Sequence, residues 1–263
     1  MKQRIVTGVL AAAFFIALAL AGSWYYSVLL VLMAIIGYTE YAKMNGFAWN
    51  HPASLLGYAG VLMFVLPWSL MGAEAPSALT VMWILAFLLL ALTVVTKNKT
   101  TIDGASLLLL GALYVGYGFG AMNTIRQTEE GLFWTFVLFG CIVTSDAGAY
   151  FAGKAFGRHK LWPSISPNKT IEGAIGGVIL SIAVAASFAL AAPGTLSVTK
   201  AVLIGLVCAV AGQMGDLIQS AYKRVRNIKD SGKLLPGHGG ILDRCDSWII
   251  VFPLVLLLGL LPV

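Results

Sequence analysis

Charge is scarce in this chain. Of its 263 residues 11% are Asp, Glu, Lys or Arg, whereas 59% are hydrophobic and the mean hydropathy is +0.88. So little charge excludes an ordinary soluble domain. Cysteine is nearly lacking as well: Cys141, Cys208 and Cys245 lie scattered in or beside apolar stretches, with neither metal-ligand spacing nor the even count of a disulfide framework. Histidine is limited to three residues, His51, His159 and His238. Nothing resembles a Ser-His-Asp arrangement, a zinc spacing or a Walker P-loop. The loop pattern contains no internal repeat or inverted symmetry of the kind that marks many transporters.

What the chain has instead is long apolar runs. A bilayer core of about 30 Å takes about 20 apolar residues per helix, and hydropathy places nine candidate spans at about 4–22, 24–43, 53–71, 77–96, 104–124, 132–152, 171–192, 200–222 and 240–261. The stretch from Met1 to Gly22 has a basic start and an apolar run but no small-residue cleavage site before the next apolar segment. It reads as the first transmembrane helix rather than a signal peptide. The expected fold is an all-α polytopic membrane protein of about nine transmembrane helices, with a polar cavity formed by the last four.

The net charge of +6 and pI near 9.3 would point to nucleic acid in a soluble protein, but in a membrane protein they report topology and anionic lipid first. With loops assigned alternately to two faces, fifteen of the 17 Lys and Arg residues fall on one side, and only Arg126 and Lys200 fall on the other. That asymmetry predicts a cytoplasmic N-terminus and cytoplasmic polar loops. The expected location is therefore the cytoplasmic (inner) membrane, with the active site facing the cytoplasm.

Residues 1–130 read as a scaffold of about five spans with almost no interior charge, and residues 131–263 as a catalytic region of about four, with cytoplasmic loops at 153–170 and 223–240. Asp146 lies near the cytoplasmic end of the sixth span and Asp216 lies well inside the eighth. Ionisable groups at such depth are costly and usually face a polar cavity.

Asp216, Ser220, Lys223 and Arg224 fall at i, i+4, i+7 and i+8, a single helical face. Taken alone, Lys223 and Arg224 would read equally well as a snorkelling pair anchoring a helix end; the carboxylate below them argues for a polar stripe. The following segment, Lys229 to Gly240, is rich in glycine and lysine, which suits phosphate and is also what a turn-rich loop looks like. Asp243 and Asp246 then follow at i, i+3, expected on one helical face at the mouth of the ninth span. With Asp216 they make an oxygen-rich set suited to a hard cation such as Mg²⁺, although each acid could instead pair with a nearby Lys or Arg.

A second polar segment points the same way. Asp146 and Tyr150 share a helical face, and small residues at 147, 149, 152 and 153 allow close helix packing. Ser166, Lys169 and Thr170 precede the seventh span, where hydroxyls, a lysine and a helix N-terminus favour a bound phosphate and also fit a capping box that includes Glu172. His238 is a loop histidine that could act as a general base but would equally well contact phosphate or be exposed. His51 and His159 have no catalytic context.

The run Ser220-x-x-Lys223-Arg224-x(4)-Lys229-Asp230-x(5)-Pro236-x-His238-Gly239-Gly240-x-x-Asp243-Arg244-x-Asp246 resembles the signature of the phosphatidate cytidylyltransferases, the CDP-diacylglycerol synthases. The segments Asp146-x-x-x-Tyr150-x-x-Gly153-Lys154 and Ser166-Pro167-x-Lys169-Thr170-x-Glu172-Gly173 are similar to that family too. The resemblance is strong over the C-terminal half, and over the N-terminal half it rests mainly on helix number. It implies a Mg²⁺-dependent reaction of CTP with phosphatidic acid at the membrane lipid surface, a homodimer, and a second cation such as K⁺. For that reaction Asp216, Lys223, Asp243 and Asp246 are the expected catalytic residues, the three aspartates holding the metal. Substrate contacts would come from Ser166, Lys169, Thr170, Ser220, Arg224, Lys229, His238, Arg244, Asp146 and Tyr150.

Three other readings compete. A CTP-dependent polyprenol or phytol kinase would also need Mg²⁺ and a basic cytoplasmic pocket, but the Lys-Asp…His-Gly-Gly…Asp-Arg-x-Asp run favours cytidylyl transfer. A CDP-alcohol phosphotransferase would carry a tandem Asp-Gly…Ala-Arg…Gly…Asp…Asp pattern that is missing. A transporter or flippase needs gated access to both faces, whereas the polar residues cluster on one.

Overall fold

A computed structural model describes residues 2–234, 237 and 239–262. The helices are α1 (Lys2–Ala21), α2 (Ser23–Met44), α3 (Pro52–Val65), α4 (Ala78–Val95), α5 (Ile102–Gly111), α6 (Gly118–Arg126), α7 (Gly131–Phe156), α8 (Ile171–Ala191), α9 (Val198–Val225), α10 (Leu242–Cys245) and α11 (Trp248–Leu257). A π-helical stretch, Ala112–Tyr117, joins α5 to α6, so 102–126 is one continuous helix. Capping side chains set several starts: Ser77, Thr101, Thr170 and Ser197 each accept a backbone N–H from the first turn of α4, α5, α8 and α9. His51 Nδ1 does the same for α3, whose first residue is Pro52.

Among the described residues six helices are long and apolar enough to cross a membrane: α2, α4, α5–α6, α7, α8 and α9. Shorter apolar helices at Val6–Ala21, Pro52–Val65 and Trp248–Leu257 occupy the places of the other three expected spans. Helix α4 shows what surrounds them. Val81, Leu85 and Leu89 are buried along one stripe, while Leu79, Trp83 and Phe87 are 69%, 68% and 67% exposed along another. A helix apolar on all sides with one side uncovered belongs in lipid, not in water. The chain is thus an all-α polytopic membrane protein.

Two compact units divide it, Met1–Gln127 with Asp230–Arg244, and Thr128–Lys229 with Cys245–Val263. In the first, a buried polar relay ties three helices: Ser27 Oγ donates to Asn123 Oδ1 at 2.8 Å, and Asn123 Nδ2 donates to the Val65 carbonyl at 2.9 Å. In the second, α7 and α8 meet on glycine and alanine. A Cβ at Gly148 would lie 2.7 Å from the Gly176 carbonyl oxygen, one at Gly173 2.7 Å from that of Ala149, and one at Gly177 2.7 Å from that of Ser145. The backbones are therefore in contact, as the small residues at 149, 152 and 153 lead one to expect. Helix α9 joins through Gly205, close against Ile182 of α8, while Ser181 Oγ donates to the Gly205 carbonyl at 2.8 Å.

Two local features depart from the sequence reading. The 153–170 loop contains a β-hairpin, in which β1 (Lys160–Trp162) runs antiparallel to β2 (Ser166–Thr170). The stretch expected as one helix over 240–261 is broken: Asp243 lies in the four-residue α10, and Asp246 lies in the turn between α10 and α11. The two acids do not share one helical face. The break is held by Asp246 Oδ1, which accepts the Ser247 N–H at 2.8 Å, and by Ser247 Oγ, which donates to the Gly212 carbonyl of α9 at 3.0 Å.

The glycine interface yields the first prediction. Gly148→Leu forces α7 and α8 apart and destabilises the second unit by about 1–3 kcal/mol, the usual range for overpacking. Gly194→Ala, whose Cβ would meet nothing within 4 Å, is neutral. Thermal unfolding in detergent micelles distinguishes the two.

Candidate functional site

The second unit contains a cleft of about 490 Å³. Helix α7 contributes Asp146, Tyr150 and Lys154 to its wall, β2 contributes Lys169 and Thr170, and α9 contributes Asp216. The hairpin therefore has a role that a loop reading misses, since it holds Lys169 over the acid of a different helix. Lys169 Nζ pairs with Asp216 Oδ2 at 2.5 Å, with side chains 26% and 40% exposed. The pair is accessible from the cleft and is not locked in a core.

Gln213, three residues before Asp216, fixes the depth of that acid. Its Nε2 donates to the Ala174 carbonyl at 3.1 Å and to Ser145 Oγ at 3.4 Å, tying α9 to α8 and α7 immediately behind the site. Asp246 reaches the same neighbourhood through a close approach of backbones. A Cβ on Gly215 would overlap the Asp246 carbonyl oxygen and lie 3.0 Å from Ser247 Cα, so only glycine lets the 246–247 turn press against α9 beside Asp216. Asp246 lies within electrostatic range of Asp216, Asp146 and Lys223. Three acids and two lysines thus share one electrostatic neighbourhood, with the acids in excess.

The remaining candidates are placed as follows. Thr170 Oγ1 accepts the Gly173 N–H at 3.1 Å and so caps α8 at the cleft wall. Ser166 pairs with Trp162 in the hairpin. Tyr150 is 63% exposed, with its ring edge-on to Phe151. Ser220 is half-buried on α9, and Arg224 Nε donates to the Ile165 carbonyl at 3.3 Å, tethering the end of α9 to the hairpin turn. Lys229 is exposed at the edge of this unit. Arg244 is exposed and Asp243 buried, both in the first unit. Asp243 Oδ2 accepts N–H groups from Ser231 at 2.7 Å and Gly240 at 3.0 Å. His238 lies outside the described residues.

Among the described residues no group of three or more His, Cys, Asp or Glu side chains is arranged to hold a metal ion. The donor set in the cleft nevertheless fits a hard cation of the Mg²⁺ type, which takes one or two carboxylates and completes its shell with water and phosphate oxygens. Sequence reasoning missed Gln213, Glu40 and the role of Glu172. Glu172 accepts the backbone N–H groups of Arg158 and His159 and contacts His159 Nδ1 at 2.6 Å, closing the base of the hairpin. Glu40 carried a usable signal, an acid one turn from the end of an apolar span.

A profile of the cytidylyltransferase family matches residues 2–261. The phosphatidate cytidylyltransferase of Bacillus subtilis (strain 168) is 41% identical over 258 residues, covering 96% of this chain and 95% of that protein. The proteins of the same name from Staphylococcus saprophyticus and Staphylococcus aureus (strain COL) are 35% and 36% identical over 255 residues, each covering 97% of both chains.

The contact at Gly215 is testable without reference to chemistry. Gly215→Ala drives the 246–247 turn from α9, so the Ser247 amide exchanges its hydrogen at least about tenfold faster. Gly212→Ala, whose Cβ would meet nothing nearer than 3.6 Å, leaves that exchange unchanged. Mass-spectrometric hydrogen exchange reads both.

Proposed function

The chain belongs to the cytidylyltransferase family, and we propose that its cleft joins CTP to phosphatidic acid, giving CDP-diacylglycerol and pyrophosphate. The observation that carries this reading is the pairing of Lys169 with Asp216 inside a cleft that also faces Asp146. Acids suited to a cation beside lysines suited to phosphates support that reading.

Both reactants are polyanions, so the protein's task is to neutralise charge and align the reacting atoms. A phosphate oxygen of phosphatidic acid attacks the α-phosphorus of CTP, the bond from that phosphorus to the bridging oxygen breaks, and pyrophosphate leaves. No protein nucleophile takes part. Asp216 and Asp246, with Asp243 as the third acid, are the residues assigned to Mg²⁺; when bound, the ion supplies charge neutralisation on the phosphate oxygens. A second cation such as K⁺ belongs to the same proposal. Lys169 exchanges its Asp216 partner for a substrate phosphate. Lys223, Arg224, Lys229 and Arg244 bind the triphosphate and the lipid phosphate, and Ser166, Thr170, Ser220, Tyr150, Asp146 and His238 complete the substrate contacts.

The lopsided Lys and Arg count supports nine spans, a cytoplasmic N-terminus, and a site open to the cytoplasmic face of the inner membrane. Helix α9, with 28 residues, is about 42 Å long and exceeds the roughly 30 Å core, which lets Lys223 and Arg224 emerge at the headgroups. The working form in this proposal is a homodimer, as the family resemblance implies.

Purified protein incubated with phosphatidic acid, labelled CTP and Mg²⁺ is expected to yield CDP-lipid and pyrophosphate. Lipid phosphate with CDP would indicate a kinase instead. Asp246→Asn and Asp216→Asn are each expected to lower kcat by about 100-fold or more. Near-normal turnover of either variant with Mg²⁺ removes that acid from the metal role.

A further inference from the structure

Glu40 is 7% exposed near the end of α2, some two hundred residues from the signature segment, yet its carboxylate is wrapped by that segment. Oε1 accepts the Ile241 N–H at 3.0 Å; Oε2 accepts the Leu242 N–H at 3.0 Å and the Ser231 hydroxyl at 2.9 Å. Ile241 precedes and Leu242 opens α10, so their N–H groups have no partners inside that helix and Glu40 supplies the acceptors. Ser231 is also bound through its N–H to Asp243 Oδ2, which in turn accepts from Gly240. A Cβ on Gly232 or Gly240 would overlap the Glu40 carboxylate, so glycine at both positions lets the backbone close around it. Everything in this cluster lies within the first unit.

From this geometry we propose that Glu40 is a positioning residue for the reaction: it ties the turn at 231–232 to the start of α10 at 240–242, next to Asp230, Lys233, Asp243 and Arg244. The first unit is then more than scaffold, because one of its membrane helices supplies the acceptor around which the signature segment is built. A carboxylate is required and not merely a polar group of that size. Three donors converge on two oxygens, and a glutamine would turn an N–H₂ toward at least one of them. Such hydrogen bonds to a charged acceptor are the stronger kind, and they are stronger still away from water.

The activity arm of the test rests on the cytidylyl-transfer reading, whereas the exchange arm does not, so the two fail separately. In Glu40→Gln the amides of Ser231, Ile241 and Leu242 are expected to exchange at least about tenfold faster while those of α7, α8 and α9 keep their protection. CDP-diacylglycerol formation is expected to fall in kcat by about tenfold or more, and Glu40→Asp, which keeps the charge, recovers part of both losses. Unchanged exchange at Ile241 and Leu242 overturns the anchoring, and unchanged kcat with fast exchange overturns its role in the reaction. Faster exchange throughout the protein with an equal loss in Glu40→Asp reduces Glu40 to a general stabiliser and also overturns the proposal. Should Glu40→Gln not accumulate, Gly240→Ala presses a methyl group on the same carboxylate and on the Ser231 hydroxyl bound to it, and is read by the same three outcomes.

Discussion

A carboxylate set among apolar helices must be given hydrogen-bond donors or a cation, because leaving it ionised and unpartnered costs several kcal/mol. Each unit meets that constraint differently. In the first, Glu40 and Asp243 are supplied with backbone N–H groups and the Ser231 hydroxyl, all from one short segment. That makes Glu40 a fixed structural anchor. In the second, Asp146 and Asp216 face a cleft with Lys169 paired to Asp216, and Asp246 lies within electrostatic reach of both acids. Acids with a partner that can move away, in a space open to solvent, are equipped for exchange with ligands.

The cleft depends on how closely its walls approach. Helices α7 and α8 touch backbone to backbone through glycine and alanine, and α9 is drawn in by Gly205, Gln213 and Gly215. Larger residues at these positions would widen the gaps between Asp146, Asp216 and the 246–247 turn. The reaction proposed here asks for little more than charges held at fixed separations, so the small residues set the geometry on which the chemistry relies.

Much of this was legible in the sequence for a simple reason: apolar runs and isolated charges are one-dimensional signals. The apolar helices lie close to where hydropathy put them, and Asp146, Lys169 and Asp216, spread over 70 residues, do meet at one cleft. What was not legible depends on pairing across distance. Glu40 and Ile241 are 201 residues apart, and nothing along the chain links them. The Lys160–Thr170 hairpin is short, rich in lysine and proline, and lacks the alternation that announces a strand. The break between Asp243 and Asp246 turns on Ser247 finding the Gly212 carbonyl, a contact that spacing alone cannot reveal.

Charge neutralisation and alignment without a protein nucleophile make a definite stereochemical claim. A single in-line displacement inverts the configuration at the phosphorus it attacks, and two successive displacements through a covalent enzyme intermediate restore it. The decisive measurement uses CTP made chiral at the α-phosphorus by one sulfur substitution and determines the configuration of the CDP-diacylglycerol formed. Inversion is the result this account predicts; retention would contradict it and require a nucleotidylated residue in the cleft.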